Sequence, residues 1–428
     1  MQPNIPESTL PRIVIVGGGF AGLKIASGLK NSPFQVVLLD KNNFHQFQPL
    51  YYQVATAGLE PSAISFPFRK IFQKHKNFHF RETYVKAIRT ADKTLECSIG
   101  EIRYDYLVLA MGTDTNFYKI ESIARNGLPM KTVAEALKIR NVVLENFEYA
   151  LVADNKEEMN KNLDVIIVGG GPTGVELAGA LADLRNDVLP KDYPEIDFSK
   201  MNIHLIEAGP RVLAAMSEKA GKFAISYLKK LNINVRCGIS VKAYDNHEAQ
   251  LSDGTVLKAK TLIWAAGVAS NRIEGLPDTA YGPGGRLLVN RYNKVEGFDN
   301  IFAIGDNCFM TEEKYPKGHP QVAQTAIQQA NLLRKNIVLI KNGKTPVPFT
   351  YKNKGSMATI GRNLAVVDLP FWSFGGTFAW LTWMLVHLMA IVGVKNRFFI
   401  FVNWTWSYFT KDQSLRLLIR PKHKQSFS

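Results

Sequence analysis

The sequence predicts an α/β fold built on two Rossmann-like dinucleotide-binding units, followed by a C-terminal membrane-associating helical region. Three observations carry this expectation. A strand, a glycine loop and a helix follow one another over residues 13–40, and the same succession returns over residues 165–207. Residues 371–394 then form an apolar stretch without a single Asp, Glu, Lys or Arg.

The first unit begins with "PRIVIVGGGFAGLKIASGL". Ile13 to Val16 read as a buried strand that runs directly into Gly17, Gly19, Phe20, Ala21 and Gly22, and a helical pattern follows. A second apolar strand, "QVVLLD", ends in Asp40, with Lys41 next to it. Glycines at these places allow a tight turn and close approach of a pyrophosphate, and the carboxylate suits ribose hydroxyls. The phosphates would rest at the helix N-terminus, where backbone N–H groups are free and the dipole is positive.

The second unit, "LDVIIVGGGPTGVELAGALADL", places Gly169, Gly171, Pro172, Thr173 and Gly174 after the strand Val165 to Val168. Its second strand, "NIHLIE", ends in Glu207. An insert, "RNDVLPKDYPEIDFSK", lengthens the gap between Gly174 and Glu207 and reads as helix extension plus loop. A carboxylate at 207 accepts ribose hydroxyls and repels a 2′-phosphate, so NADH is expected over NADPH; Arg211 stands close enough in sequence to soften that preference.

Two such units predict a two-dinucleotide flavoprotein, with FAD in the first and NADH in the second. Three further strings fit. "YDYLVLAMGTDT" carries Ala110, Gly112 and Thr113, and "KTLIWAAGVAS" carries Ala266 and Gly267; each ends an apolar strand in a small-residue turn. "GFDNIFAIGDN" puts Asp306 at a strand end, suited to the flavin ribityl chain. In this order the motifs resemble the pyridine-nucleotide-dependent flavin reductase superfamily. That likeness implies an NADH domain inserted into the FAD domain, with the chain returning near Asn293. The expected division is 1–125 and 293–345 for FAD, 126–292 for NADH, and 346–428 for a membrane-anchoring region.

Composition narrows the class. The chain has 428 residues, 46% of them apolar and 21% charged, in the globular range and without repeats. Its formal net charge of +15 suits nucleic acid or anionic lipid, yet no basic run is interleaved with aromatics, so nucleic acid is not expected. Cys97, Cys237 and Cys308 lie far apart, which argues against a disulfide framework or a metal site and for a reducing compartment. The lead "MQPNIPESTLPRIVIVGGG" lacks a basic start and is not expected to be a secretory signal.

Disulfide reductases of this fold need a cysteine pair beside the flavin, and "HQFQPLYYQVATAGLEPSAISF" contains none. Only Cys308, two residues after Asp306, could stand near, and one thiol makes no redox disulfide. Electrons are therefore expected to leave the flavin without sulfur. Five of the six tryptophans, Trp372, Trp380, Trp383, Trp404 and Trp406, lie after residue 370, and residues 395–428 carry seven Lys or Arg against one Asp. A basic segment beside an apolar, Trp-rich one suits a helix lying on anionic lipid. A buried helical hairpin over the FAD domain, a dimer interface and a true span stay open as alternatives. Residues 398–409 alternate in the manner of a strand, and their secondary structure is left open.

The tail "AWLTWMLVHLMAIVGVKNRFFIFVNWTWSYFT…RLLIR" is similar to the C-terminal region of type II NADH:quinone oxidoreductases. "HQFQPLYYQVATAGL" and "AQTAIQQA" resemble further signatures of that family, and the match covers essentially the whole chain. The resemblance implies a single-subunit, monotopic respiratory enzyme on the cytoplasmic face of the inner membrane. It would pass a hydride from NADH to flavin and two electrons to a membrane quinone without pumping protons. It further implies that Ala323 and Gln324 run along the flavin and that Gln324 and Gln328 line the quinone pocket. Four residues apart, the two glutamines share one helix face and could donate to a quinone carbonyl without adding charge; a polar face bonded to backbone is the plainer reading. Glu176 would lie near nicotinamide and flavin, although by spacing alone it is a first-turn carboxylate favoured by the helix dipole. Lys395 would approach the flavin, and His45 and Val85 the adenosine or pyrophosphate side of FAD. The native quinone and any homodimer stay open. The rivals are a sulfide:quinone reductase-like or other NADH-dependent flavin reductase, and a membrane-docked NADH-binding signalling protein.

Overall fold

The computed structural model describes residues 3–413 and 415–418. The elements that build the site are, in chain order, β1 (Arg12–Val16), α1 (Phe20–Gly28), β2 (Gln35–Asp40), α2 (Tyr51–Ala55), β3 (Phe78–Glu82), β4 (Tyr106–Leu109), β5 (Leu128–Pro129) and β6 (Val165–Val168). These are followed by α3 (Pro172–Asp183), β7 (Ile203–Glu207), β8 (Ile233–Cys237), β9 (Thr261–Trp264), β10 (Ile301–Ala303) and α4 (Ala323–Lys341). The C-terminal part holds β11 (Ser356–Thr359), β12 (Ala365–Leu369), β13 (Trp372–Gly375), α5 (Thr377–Ala390) and α6 (Val394–Thr410).

The chain packs as two compact units. One comprises residues up to Gln46, 65–114 and 268–354; the other comprises 47–64, 115–267 and the chain from Gly355 onward. These limits follow packing, whereas the limits at 125, 292 and 345 drawn from the sequence follow cofactor assignment.

The first unit holds a parallel sheet in the order β10-β4-β1-β2-β3. β1 is central, paired to β2 from Arg12↔Gln35 to Val16↔Leu39 and to β4 from Ile13↔Tyr106 to Val16↔Leu109. A strand covered on both faces must be apolar throughout, which is why "IVIV" does not alternate and is fully buried. The second unit repeats the plan with β5-β9-β6-β7-β8, in which "VIIV" of β6 takes the central place. In both sheets the central strand ends at the glycine loop, so each loop opens at the carboxyl edge of its sheet, where a switch in strand order leaves a crevice.

The insert after α3 does extend that helix: Leu184–Val188 continue it with wider π-type turns, a short helix covers Leu189–Asp192, and an irregular stretch leads to β7. The apolar run 371–394 is not one helix. Gly376 alone separates β13 from α5, and it holds φ +86°, a conformation side chains rarely adopt. α5 is 14 residues long, and among the described residues no helix is long and apolar enough to cross a membrane. The stretch whose alternation resembled a strand, 398–409, lies wholly within α6. Packing against α5, where Trp404 meets Trp383 at 5.9 Å and Tyr408 meets Trp380 at 5.5 Å between ring centroids, outweighs the local β preference of Thr405 and Tyr408.

Candidate functional site

In the first loop, Gly17 adopts φ +99°, and a Cβ there would stand 2.3 Å from the Ala110 carbonyl oxygen. A Cβ on Gly22 would stand 1.7 Å from the carbonyl oxygen of Gly17, so the helix can start under the loop only without a side chain. Gly19 is the contrast: nothing lies within 4 Å of its would-be Cβ, which leaves open approach to the backbone. Gly19 also caps α1 without a side-chain hydrogen bond, as a helix end meant for an external anion requires.

Asp40 closes the loop. Its carboxylate accepts from the Gly18 amide at 2.6 Å and the Asn42 amide at 2.7 Å, and burial raises its pKa against those two hydrogen bonds. Phe20 and Ala21 begin α1, and Lys41 is exposed beside Asp40. His45 is buried with Nδ1 2.9 Å from the Gly18 carbonyl, edge-on to Phe20 and stacked on Phe66. Burial lowers its pKa, so the neutral ring donates Nδ1–H to that carbonyl. His45 therefore braces the loop from behind. Val85 opens a strand of its own, Val85–Arg89.

The turn after β4 meets the turn after β10. The Gly112 amide donates to Asn307 Oδ1, and the Thr113 hydroxyl lies 3.3 Å from Asp306 Oδ2. Asn307 is fully buried and its amide nitrogen donates to the Ser270 hydroxyl and the Asn271 carbonyl. Gln329, also fully buried, accepts from the Gly305 amide at 2.7 Å and from the Cys308 thiol at 3.3 Å. These two amides fix the turn that carries Asp306, and the sequence reading missed both. Cys308 is buried beneath it with its pKa pushed up to about 11, a poor nucleophile at neutral pH.

Gln324 and Gln328 do share a face of α4, and that face is bonded to backbone. Gln324 Oε1 accepts from the Lys354 amide at 3.0 Å. Gln328 makes a reciprocal pair with Lys352, accepting its N–H at 3.0 Å and donating to its carbonyl at 2.9 Å. The two side chains thus hold residues 352–354 alongside the start of α4. Ala323 is the first residue of that helix.

The second loop repeats the first. Gly169 has φ +112° with a would-be Cβ 2.5 Å from the Ala265 carbonyl oxygen, one on Gly174 would lie 1.9 Å from the Gly169 carbonyl, and Gly171 is open. Pro172 and Thr173 start α3, where proline costs no hydrogen bond. Glu207 accepts from the amides of Gly170 and Gly209, each at 2.6 Å. Arg211 is committed elsewhere: its guanidinium donates to the carbonyls of Leu213, Ala214, Met216 and Ser217. The softening of nucleotide preference expected from Arg211 loses its basis. Ala266 accepts from the Tyr118 hydroxyl at 3.0 Å, and Tyr118 lies against Gly267, two contacts no local motif announces.

Glu176 is 7% exposed and sits on the second turn of α3, not the first. The Thr359 amide donates to its Oε1 at 3.4 Å. Gly179 makes this meeting possible, since a Cβ there would stand 2.5 Å from the Gly361 nitrogen. Burial pushes the Glu176 pKa up to about 8, opposed by the Thr359 amide and the Trp383 indole. It is protonated at neutral pH and can donate, which a dipole-paired surface carboxylate could not do. α5 and α6 cover this region: Trp383 is buried and stacks on His387 with ring centroids 4.0 Å apart, and Trp404 donates to Gln53 of α2 at 2.8 Å. Two of the tail tryptophans are therefore core residues rather than interfacial ones. Lys395, exposed at the start of α6, lies over Phe399 at 5.6 Å.

The family model of the pyridine nucleotide-disulphide oxidoreductases matches residues 11–330, and that of the NDH2 C-terminal domain matches 353–411. A type II NADH:quinone oxidoreductase of Mycobacterium tuberculosis is 34% identical over 420 residues, covering 93% of this chain and 87% of its own. The chain belongs to the type II NADH:quinone oxidoreductase family. A relative of the same description from Haemophilus influenzae is 29% identical, with 84% of this chain and 87% of the other covered. The structure of NDH2 from Plasmodium falciparum in complex with NADH shares the fold at a TM-score of 0.86 and 24% identity, over 96% of this chain and all of the other. The sulfide:quinone oxidoreductase of Aquifex aeolicus shares it at 0.70 and 19% identity, over 88% and 90%. Fold alone does not separate these two chemistries; residues do. Cys97, Cys237 and Cys308 are all free thiols here.

Proposed function

We infer that this protein oxidises NADH and reduces a quinone, with FAD as resident cofactor. One observation carries the inference: two complete dinucleotide loops, each closed by its own carboxylate, stand in a chain related over nine-tenths of its length to NADH:quinone oxidoreductases. Bound FAD supplies the two-electron chemistry that links the two substrates. The chain supplies grip, orientation and proton control.

The first loop fits FAD. Gly17, Gly19, Phe20, Ala21 and Gly22 take the pyrophosphate, and Asp40 with Lys41 takes the adenosine ribose. His45 and Val85 stand on the adenosine or pyrophosphate side, Ala110, Gly112 and Thr113 bring their turn close to FAD, and Asp306 takes the ribityl chain. The open face at Gly19 supports this assignment. Gly169, Gly171, Pro172, Thr173, Gly174, Glu207, Ala266 and Gly267 take NADH, and Glu207, with Arg211 withdrawn, rejects the 2′-phosphate of NADPH. Ala323 and Gln324 run along the flavin, and Gln324 and Gln328 shape the quinone pocket through the segment 352–354 that the glutamines hold. Glu176 handles the proton, and Lys395 approaches the flavin, a role supported by the family resemblance alone.

The membrane reading rests on the exposed apolar surface of the tail. Phe378, Leu381, Leu385 and Met389 recur every three or four residues on the outer side of α5, each more than half exposed, and Phe371 is fully exposed. A stripe of that size turned to water calls for an apolar partner, and the Lys and Arg residues after 394 favour an anionic membrane surface. On this reading the protein is peripheral, on the cytoplasmic face of the inner membrane, and residues 346–428 anchor it; a homodimer would compete for the same stripe.

Steady-state assays test the function. NADH oxidation by the yellow, purified protein is expected to depend on added quinone and to be slow with NADPH. NADH oxidation indifferent to quinone would refute the acceptor.

A further inference from the structure

The electron balance of the reaction just proposed, on which this inference rests, fixes what the protein must import. NADH gives a hydride, two electrons with one proton, whereas a quinone takes two electrons and two protons to become a quinol. One proton per turnover comes from water.

α3 presents two carboxyls on one face, Glu176 and Asp183, seven residues and about 10 Å apart along the axis. Ala180 lies between them on that face and is too small to fill the distance. A cavity of about 110 Å³ does open there, lined by both carboxyls together with Ala180, Tyr52, Thr359 and Arg362. That volume takes roughly three waters. Its wall continues to Asn403 and Gln413, whose Oδ1 and Oε1 are buried acceptors with no donor among the described residues. Exposure rises outward, from Glu176 at 7% to the Asp187 side chain at 25% and Lys411 at 56%. Arg362 joins the outer groups: its backbone N–H donates to Asp183 Oδ2 at 2.8 Å and its guanidinium pairs with Asp187 at 3.2 Å.

We propose that Asp183 is the entry residue of a proton path that crosses this cavity and reprotonates Glu176 during quinone reduction. The O–H bond of Asp183 breaks, water in the cavity carries the proton inward, and an O–H bond forms on Glu176. Solvent then reprotonates Asp183, and no electron moves. Asp183 touches no substrate, so it is a positioning residue that acts through Glu176. The surrounding groups keep both carboxyls able to hold and release a proton near neutrality. Burial pushes Asp183 up to about 7 and Asp187 adds to that, while Arg362 and Lys411 oppose it. Burial pushes Glu176 up to about 8 against the Thr359 amide and Trp383 indole, and the Tyr52 phenol, raised by burial and by Glu176, stays protonated.

The test uses full-length, FAD-loaded protein carrying Asp183→Asn. NADH is expected to bleach the flavin at the wild-type rate, while reoxidation by a short-chain quinone slows roughly tenfold above pH 7 and recovers when imidazole buffer supplies a small acid. Infrared spectra of the resting protein are expected to lose the carboxyl band that titrates near pH 7 and keep the one near pH 8. Ala180→Leu, which fills the cavity and spares both carboxyls, is expected to slow reoxidation in the same way. Wild-type reoxidation, pH profile and buffer response in both variants would overturn the path, as would an unchanged infrared titration in Asp183→Asn. A wild-type flavin that quinone leaves reduced would overturn the acceptor reading, and this path with it, before any variant is made.

Discussion

In the first loop a Cβ on Gly22 would stand 1.7 Å from the Gly17 carbonyl; in the second, one on Gly174 would stand 1.9 Å from the Gly169 carbonyl. Asp40 accepts the Gly18 amide at 2.6 Å, and Glu207 accepts the Gly170 amide at the same distance. The agreement ends two residues further on. Lys24, two after Gly22, is exposed, whereas Glu176, two after Gly174, is buried beneath Thr359 and Trp383. The geometry of binding is thus repeated and the chemistry is not. Gripping a pyrophosphate demands one backbone shape, and every departure from it clashes. What the helix side chains do next depends on what covers them: the C-terminal strands and helices cover the second helix at Glu176, whereas Lys24 of the first is exposed.

The comparison can be broken most severely at the glycines. Gly22→Ala is expected to yield colourless protein that has lost FAD. Gly174→Ala is expected to stay yellow while its KM for NADH rises steeply, because in each variant the new methyl collides with a loop carbonyl and displaces the loop. Flavin absorbance and NADH kinetics on the two variants separate the loops, and equal flavin loss in both would undo the assignment. Next in size is Glu207→Gln, which keeps an acceptor for one loop amide but removes the charge. The NADPH-to-NADH ratio of kcat/KM is expected to rise roughly tenfold, ~1.4 kcal/mol, and an unchanged ratio would remove Glu207 from nucleotide choice.

Glu176 sharpens the contrast through pH. Folded, it keeps its proton up to about pH 8; unfolded, it loses it near the ordinary ~4.3. Between those values the folded state binds a proton that the unfolded chain lacks, so stability falls as pH rises through that window. Glu176→Gln is expected to flatten the fall and give a higher Tm than wild type at about pH 9, read by calorimetry, whereas Lys24→Ala is expected to leave the profile where it was. The smallest effect is at Gln328→Ala. Loss of its pair with Lys352 is expected to cost about 1 kcal/mol and to slow quinone turnover while NADH still bleaches the flavin at the wild-type rate. Slower bleaching alone would move Gln328 to the other half-reaction.

Much of this was legible from local pattern. Unbroken apolar strands, glycine spacing and terminal carboxylates each show within a short stretch of sequence, and both loops form as read. The extension of α3 was legible for the same reason. Residues held by distant chain were not. Thr359 meets Glu176 across 183 positions, and only Gly179, an unremarked glycine inside a helix, hinted at close backbone approach. Arg211 read as a charge near a phosphate site until four loop carbonyls claimed it. Asn307 and Gln329 carry no signal beyond being polar beside an apolar strand and within a helix. The apolar run at 371–394 left a span open as an alternative because hydropathy ignores backbone conformation: Gly376 stands between a strand and a helix within it.

Anaerobic sequential-mixing stopped flow on the wild-type protein tests the central claim most directly. NADH is mixed first and a short-chain quinone second, while flavin absorbance is followed. The account expects bleaching in the first mix and full return of colour in the second, with NADPH bleaching far more slowly. Colour that NADH bleaches and quinone fails to restore would contradict it.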